Sequence, residues 1–160
     1  MQKVCYIGVA GKLAREKTEA IAARNGIEIV PLESALIFGK DHIESAISHA
    51  ERAFKSGRNI AKSFGIEITR YASGERQISK ALSKMCSKPE SCHHVLLIVG
   101  DCDAGKIVEE LSVGLEKDAI ASDGKDARMF GLSEAELSTV AKRRQADLVI
   151  ERVALLDLEK

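Results

Sequence analysis

Along the first thirty residues the apolar positions alternate, become sparse, then alternate again. Lys3–Val9 sets Val4, Tyr6 and Gly8 against Cys5, Ile7 and Val9, which predicts a first strand. Residues 12–25 read as a charged helix ending at the C-cap pair Asn25-Gly26, and Ile27–Val30 as a second short strand closed by Pro31. The clearest helix follows. Asp41 can cap it, Glu44 stands three residues later, and Ile43, Ala46, Ile47, Ala50 and Phe54 recur at helical spacing until Gly57.

Ile60, Ala61 and Phe64 predict one more short helical stretch stopped by Gly65, after which Ile66–Tyr71 alternates as a third strand. Ser73 is an N-cap for a helix whose apolar face is Ile78, Ala81, Leu82 and Met85. Val95–Val99 is short, branched and wholly apolar, the pattern of a strand covered on both sides. Asp103 opens a helix faced by Ala104, Ile107, Val108, Leu111 and Leu115. Residues 120–130 have no period and read as a loop, and Ser133 with Glu136 forms a capping-box pattern for a helix carrying Leu137, Val140 and Ala141. The segment from Gln145 onward holds Val149, Val153 and Leu156 among other apolar residues, more than one helix face needs, so part of it is available to a partner.

These elements predict an α/β or α+β chain: a single domain over residues 1–160 with a central mixed sheet of about four strands flanked by helices. Length and composition agree, since 160 residues at 45% hydrophobic and 30% charged suffice for one core. No apolar run approaches the ~18 residues of a membrane span, and the alternating, charge-containing start makes a signal peptide unexpected. Four cysteines in such a chain fit reduced thiols and a cytoplasmic setting.

Charge changes the picture more. The net charge is zero, which argues against binding nucleic acid by global attraction, yet nine basic residues between Arg52 and Lys88 face only Glu67 and Glu75. From Glu90 onward acids outnumber bases 15 to 9. A locally basic stretch can hold an anion on one face, or it can simply be a lysine-rich solvated helix surface. Tyr71-Ala-Ser-Gly-Glu-Arg76-Gln77-Ile78 lies at the centre of this stretch, at an expected strand-to-helix turn. Arg76 can pair with phosphate or stack on a base, Gln77 and Asn59 can hydrogen-bond base edges, and Phe64 or Tyr71 could offer an aromatic face. Phe64 and Ile78 fit the core better, and Tyr71 fits either place.

Other chemistry is weakly supported. Gly100-Asp-Cys-Asp-Ala-Gly105-Lys106 has phosphate-loop spacing after a strand, and a phosphate-loop nucleotide-binding enzyme is the alternative reading. However, Ile107 stands where a hydroxyl should reach magnesium, and Asp101 and Asp103 would repel phosphates. Cys86, Cys92, His93, His94 and Cys102 are possible zinc ligands, but Cys92 and Cys102 bracket a strand whose ends stand ~25 Å apart, so no metal site is expected. His42 and His49 are seven apart, too far for one face of a helix to hold a metal between them. No nucleophile elbow occurs, and no catalytic residue or cofactor is expected.

The run Asn59-Ile-Ala-Lys62-Ser-Phe-Gly-Ile-Glu67, then Tyr71-Ala-Ser-Gly-Glu-Arg76-Gln77-Ile78 and Ala81-Leu82, closely resembles the kinase-binding small subunit of the KEOPS (EKC) complex, the PRPK-binding protein family. Phe38-Gly39 with His42 and Ala46, and Val153-Ala-Leu-Leu-Asp157, also fit, so the resemblance spans almost the whole chain. It implies a non-catalytic accessory subunit that attaches to the Bud-type atypical kinase/ATPase of KEOPS, and indirectly to the other subunits. It further implies binding of tRNA, including the single-stranded 3′ CCA end, in support of N6-threonylcarbamoyladenosine formation at position 37. On that resemblance the tRNA contacts are expected at Arg58, Asn59, Lys62, Arg76, Gln77, Lys80 and His42, and the kinase contacts at Val149, Val153 and Leu156.

Overall fold

The apolar run read as a covered strand forms the centre of a four-stranded sheet. In a computed structural model that describes residues 2–159, the strands are β1 (Val4–Ala10), β2 (Glu28–Glu33), β3 (His93–Val99) and β4 (Gly114–Leu115), in the order β2-β3-β1-β4. Among the described residues seven α-helices complete an α+β fold: α1 (Arg15–Asn25), α2 (Lys40–Lys55), α3 (Phe64–Ser73), α4 (Ile78–Met85), α5 (Ala104–Leu111), α6 (Glu134–Leu137) and α7 (Gln145–Leu155). Every pairing is antiparallel, so the expected mixed sheet is corrected to an antiparallel one. The chain gathers into two compact units, one from the residues up to Ser34 with Cys86–Ile120, the other from Ala35–Met85 with the chain from Ala121 on.

The first unit contains the sheet. Val95 to Val99 are all at most 2% exposed, as a branched apolar run on a central strand should be. Leu96 and Ile98 join Val9 of β1, Ile21 of α1 and Ile107, Val108 and Leu111 of α5 in one cluster. β2 passes through Pro31 instead of closing at it: as an edge strand it tolerates a residue without an N–H, and the Pro31 carbonyl accepts from Ser87 N–H at 3.0 Å. Helix α5 stops at Leu111, where Ser112 takes a left-handed conformation, so Leu115 lies exposed on β4 and not on the helix face expected of it.

The second unit is helical, and it departs most from the sequence reading. Ile66–Tyr71 is not a strand: it is the middle of α3, with the Ser63 hydroxyl accepting from Ile66 N–H at 3.2 Å at one end and Gly74, left-handed at φ 70°, at the other. Nine of the ten helix residues are buried: Phe64, Ile68, Tyr71 and Ala72 form an apolar row at helical spacing, but Glu67, Thr69, Arg70 and Ser73 are buried as well, so polarity does not mark a solvent face. Thr69 donates to the Gly65 carbonyl at 2.8 Å and Ser73 to the Arg70 carbonyl at 2.6 Å, which satisfies both hydroxyls inside the helix. Ser73 therefore ends α3 and does not cap α4, and residues 57–63 form a loop where a short helix was expected. The Ser133–Glu136 capping box is present, but α6 ends at Leu137, short of Val140 and Ala141.

Candidate functional site

Glu67 organises the basic segment. Fully buried on α3, its carboxylate accepts from Ala61 N–H at 2.8 Å, from Ile60 N–H at 3.3 Å and from Arg70 Nη2 at 2.7 Å. One helix side chain thus fixes the loop that carries Arg58, Asn59 and Lys62. Burial works against the Arg70 charge, but the hydrogen bond and attraction from Glu67 outweigh it and hold the guanidinium above its ordinary pKa. The Arg70 guanidinium lies 4.4 Å from the Tyr71 ring centroid, and its Nε has no hydrogen-bond partner among the described residues.

The loop, α3 and the turn after it enclose a cavity of about 240 Å³ lined by Arg52, Arg58, Arg70 and Arg76 together with Tyr71 and Ile60. It is smaller than the ~300–1,000 Å³ of ordinary small-molecule pockets, a size suited to a phosphate or a single nucleotide end. Its counter-charges come from the segment after α7, through Asp157 and Glu159. Asp157 is anchored: Tyr71 Oη donates to it at 2.6 Å and His49 Nδ1 at 2.5 Å. Partial burial pushes this carboxyl up, yet those two hydrogen bonds and the attraction of His49 and Arg52 bring it below its ordinary value. Burial and the bond to Asp157 push the Tyr71 phenol up to about 12. The remaining ion pairs are loose, Arg52 to Asp157 and Arg76 to Glu159 both at 4.0 Å.

Of the expected RNA contacts, Arg58 and Arg76 are exposed and meet at this cavity. Lys62 and Gln77 are exposed but do not line it, and Asn59 uses its amide to donate to the Ala61 carbonyl at 2.9 Å. Lys80 lines a separate shallow depression with Glu75 and Lys84. His42 is a correction. It is fully buried, accepts from Phe38 N–H at its Nδ1 at 3.1 Å and donates from Nε2 to the Ala72 carbonyl at 2.8 Å, so neither ring nitrogen is available to RNA. The Nδ1 acceptor fixes the neutral tautomer, and burial lowers the pKa to about 4.

Val149, Val153 and Leu156 are corrected too: the first two are fully buried and Leu156 is 7% exposed, so these residues hold α7 in its own unit. The large apolar residues exposed there, among the described residues, are Leu155 and Leu158. Arg52 and Arg70 were the arginines missed as site residues. Both belong to the basic run, and the bracket of Ser63 and Gly74 around ten residues was the available signal that Arg70 and Tyr71 ride on a helix.

The other candidate chemistry meets local obstacles. The Asp103 carboxylate accepts from Lys106 N–H at 3.3 Å, occupying the helix start that the phosphate-loop alternative would need, while Asp101 pairs with Lys3 at 3.0 Å. Gly100 is required for packing, since a Cβ there would come 2.6 Å from Ile27 Cγ2. Among the described residues no group of His, Cys, Asp or Glu is arranged to hold a metal ion, and no helix is long and apolar enough to cross a membrane.

The family model described as kinase binding protein CGI-121 matches residues 10–157. The chain belongs to this family. It is also 30% identical over 139 residues to the regulatory protein Cgi121 of Methanocaldococcus jannaschii, an alignment covering 84% of this chain and 87% of the relative. Membership of the CGI-121 family supports a kinase as partner.

Proposed function

We propose that this CGI-121 family member is a non-catalytic accessory subunit of KEOPS that binds the Bud-type kinase and the tRNA, including its 3′ CCA end, and so supports N6-threonylcarbamoyladenosine formation at position 37. The observation that carries the RNA half is the convergence of exposed Arg58 and Arg76 with Arg52 and Arg70 on one small cavity, beside the exposed apolar side chain of Ile60. Guanidinium groups bind phosphate in a forked geometry and stack on bases, which suits a flexible single-stranded end. Exposed Leu155 and Leu158 at the end of α7 support the kinase half. Holding the substrate's tail while docked on the kinase raises the local concentration of the anticodon loop at the complex's catalytic subunit, with no reaction here.

The test is a gel shift with tRNA carrying or lacking its CCA end. Arg76→Glu should weaken binding of the intact tRNA and lower the slope of its salt dependence by about one, while the circular dichroism spectrum stays unchanged. Equal affinity of wild type and Arg76→Glu would refute the RNA assignment.

A further inference from the structure

The four arginines of the cavity differ in how firmly their counter-charges are held. Arg70 is matched by Glu67 at 2.7 Å with side chains 5% and 0% exposed, a permanent pair. Among the described residues Arg76 is matched by Glu159 alone, at 4.0 Å, with both side chains more than half exposed. Exposed pairs contribute little and salt screens them. A phosphate oxygen, which accepts charge-assisted hydrogen bonds from a guanidinium fork, can displace such a partner.

The backbone around Glu159 points the same way. Helix α7 ends at Leu155, and the following turn is closed by bonds of 3.4 Å from Leu156 N–H to the Val153 carbonyl, 3.3 Å from Asp157 N–H to the Ala154 carbonyl and 3.0 Å from Leu158 N–H to the Leu155 carbonyl, with Glu159 beyond the turn in neither helix nor strand. Asp157 is pinned by Tyr71 and His49, but Glu159 lies two residues beyond that pin and makes the loose contact to Arg76 at 4.0 Å. Asp157 therefore acts as an anchor, and Glu159 as a movable carboxylate at the cavity.

We propose that Glu159 is a built-in competitor for the arginine cavity: its carboxylate occupies Arg76 in the free protein and must leave when an RNA phosphate enters. The identity of that ligand rests on the RNA reading above, while the competition itself concerns any phosphate-type anion.

The experiment compares wild type, Glu159→Gln and the control Glu151→Gln, an exposed glutamate of α7 outside the cavity, by titration with inorganic pyrophosphate and with a short single-stranded RNA ending in CCA. Glu159→Gln should bind both about two- to fivefold more tightly at low salt, with the gain shrinking as salt is added. Glu151→Gln should match wild type. If Glu159→Gln binds neither probe better than wild type, or no better than Glu151→Gln, the competitor role is overturned, whether or not RNA binds. If pyrophosphate binding tightens while no form of the protein binds RNA, the competitor role stands and the RNA reading fails.

Discussion

The sheet unit and the helical unit solve the same burial problem with different materials. In the first, Val95 to Val99 fill a central strand whose backbone bonds go to β1 and β2, so these five need no polar partner for their side chains, while buried His94 beside them is held by the Ser87 hydroxyl and the Gly11 carbonyl. In the second, Glu67, Thr69, Arg70 and Ser73 are buried in one ten-residue helix, and His42 is buried on α2. Each of these needs a defined partner, because a polar group left alone inside costs more than its hydrogen bond returns. Apolar packing tolerates adjustment, whereas a buried ionic clamp either closes or fails. The difference bears on the proposed site: the clamp around Glu67 also shapes the loop bearing Arg58.

The largest test of this contrast is Glu67→Ala. Removing the carboxylate strands buried Arg70 and leaves two loop N–H groups without an acceptor, so a loss of about 3–5 kcal/mol is expected in urea unfolding. Proteolysis within residues 57–63 should accelerate at the same time. A loss under about 1 kcal/mol would put Glu67 in the class of ordinary surface substitutions and remove its role as a clamp.

Next is pH. The folded unit keeps His42 neutral with a pKa of about 4, against 6.5 when free, so below pH 6.5 the unfolded chain takes up a proton that the folded chain refuses. Stability from this group is complete above pH 6.5, falls as pH drops towards 4, and levels off below; the full loss is roughly 3 kcal/mol. Denaturant unfolding at pH 7 and pH 4.5 should show that slope in wild type and a shallower one in His42→Asn. An identical slope in both proteins would assign the acid sensitivity to other groups.

The smallest effect belongs to the sheet. Ile98→Val, a single methylene in the cluster with Val9 and Leu96, should lower stability by about 1 kcal/mol without local opening. A loss as large as that of Glu67→Ala would erase the proposed contrast between the two units.

The chain's own pattern was enough for the first strand, the boundaries of α1 at Gly26, most of α2, the apolar β3 and the caps at Asp103 and Ser133, because in each a local rule and the tertiary environment agree. It was enough, too, for the resemblance carried by Asn59 to Ile78, and for the basic character of that stretch.

Local pattern failed where burial was decided from a distance. Ile66, Glu67, Ile68 and Thr69 alternate like a strand only if Glu67 and Thr69 are assumed to face water, and only the folded unit shows both buried, with Glu67 paired to Arg70. Likewise Val149 and Val153 are apolar either way; their neighbours, not their identity, make them core and leave Leu155 and Leu158 exposed. The meeting of Arg58, Arg76 and Glu159 joins residues up to a hundred positions apart, and no period or spacing along a chain can encode such a contact, because it arises only when separate helices pack.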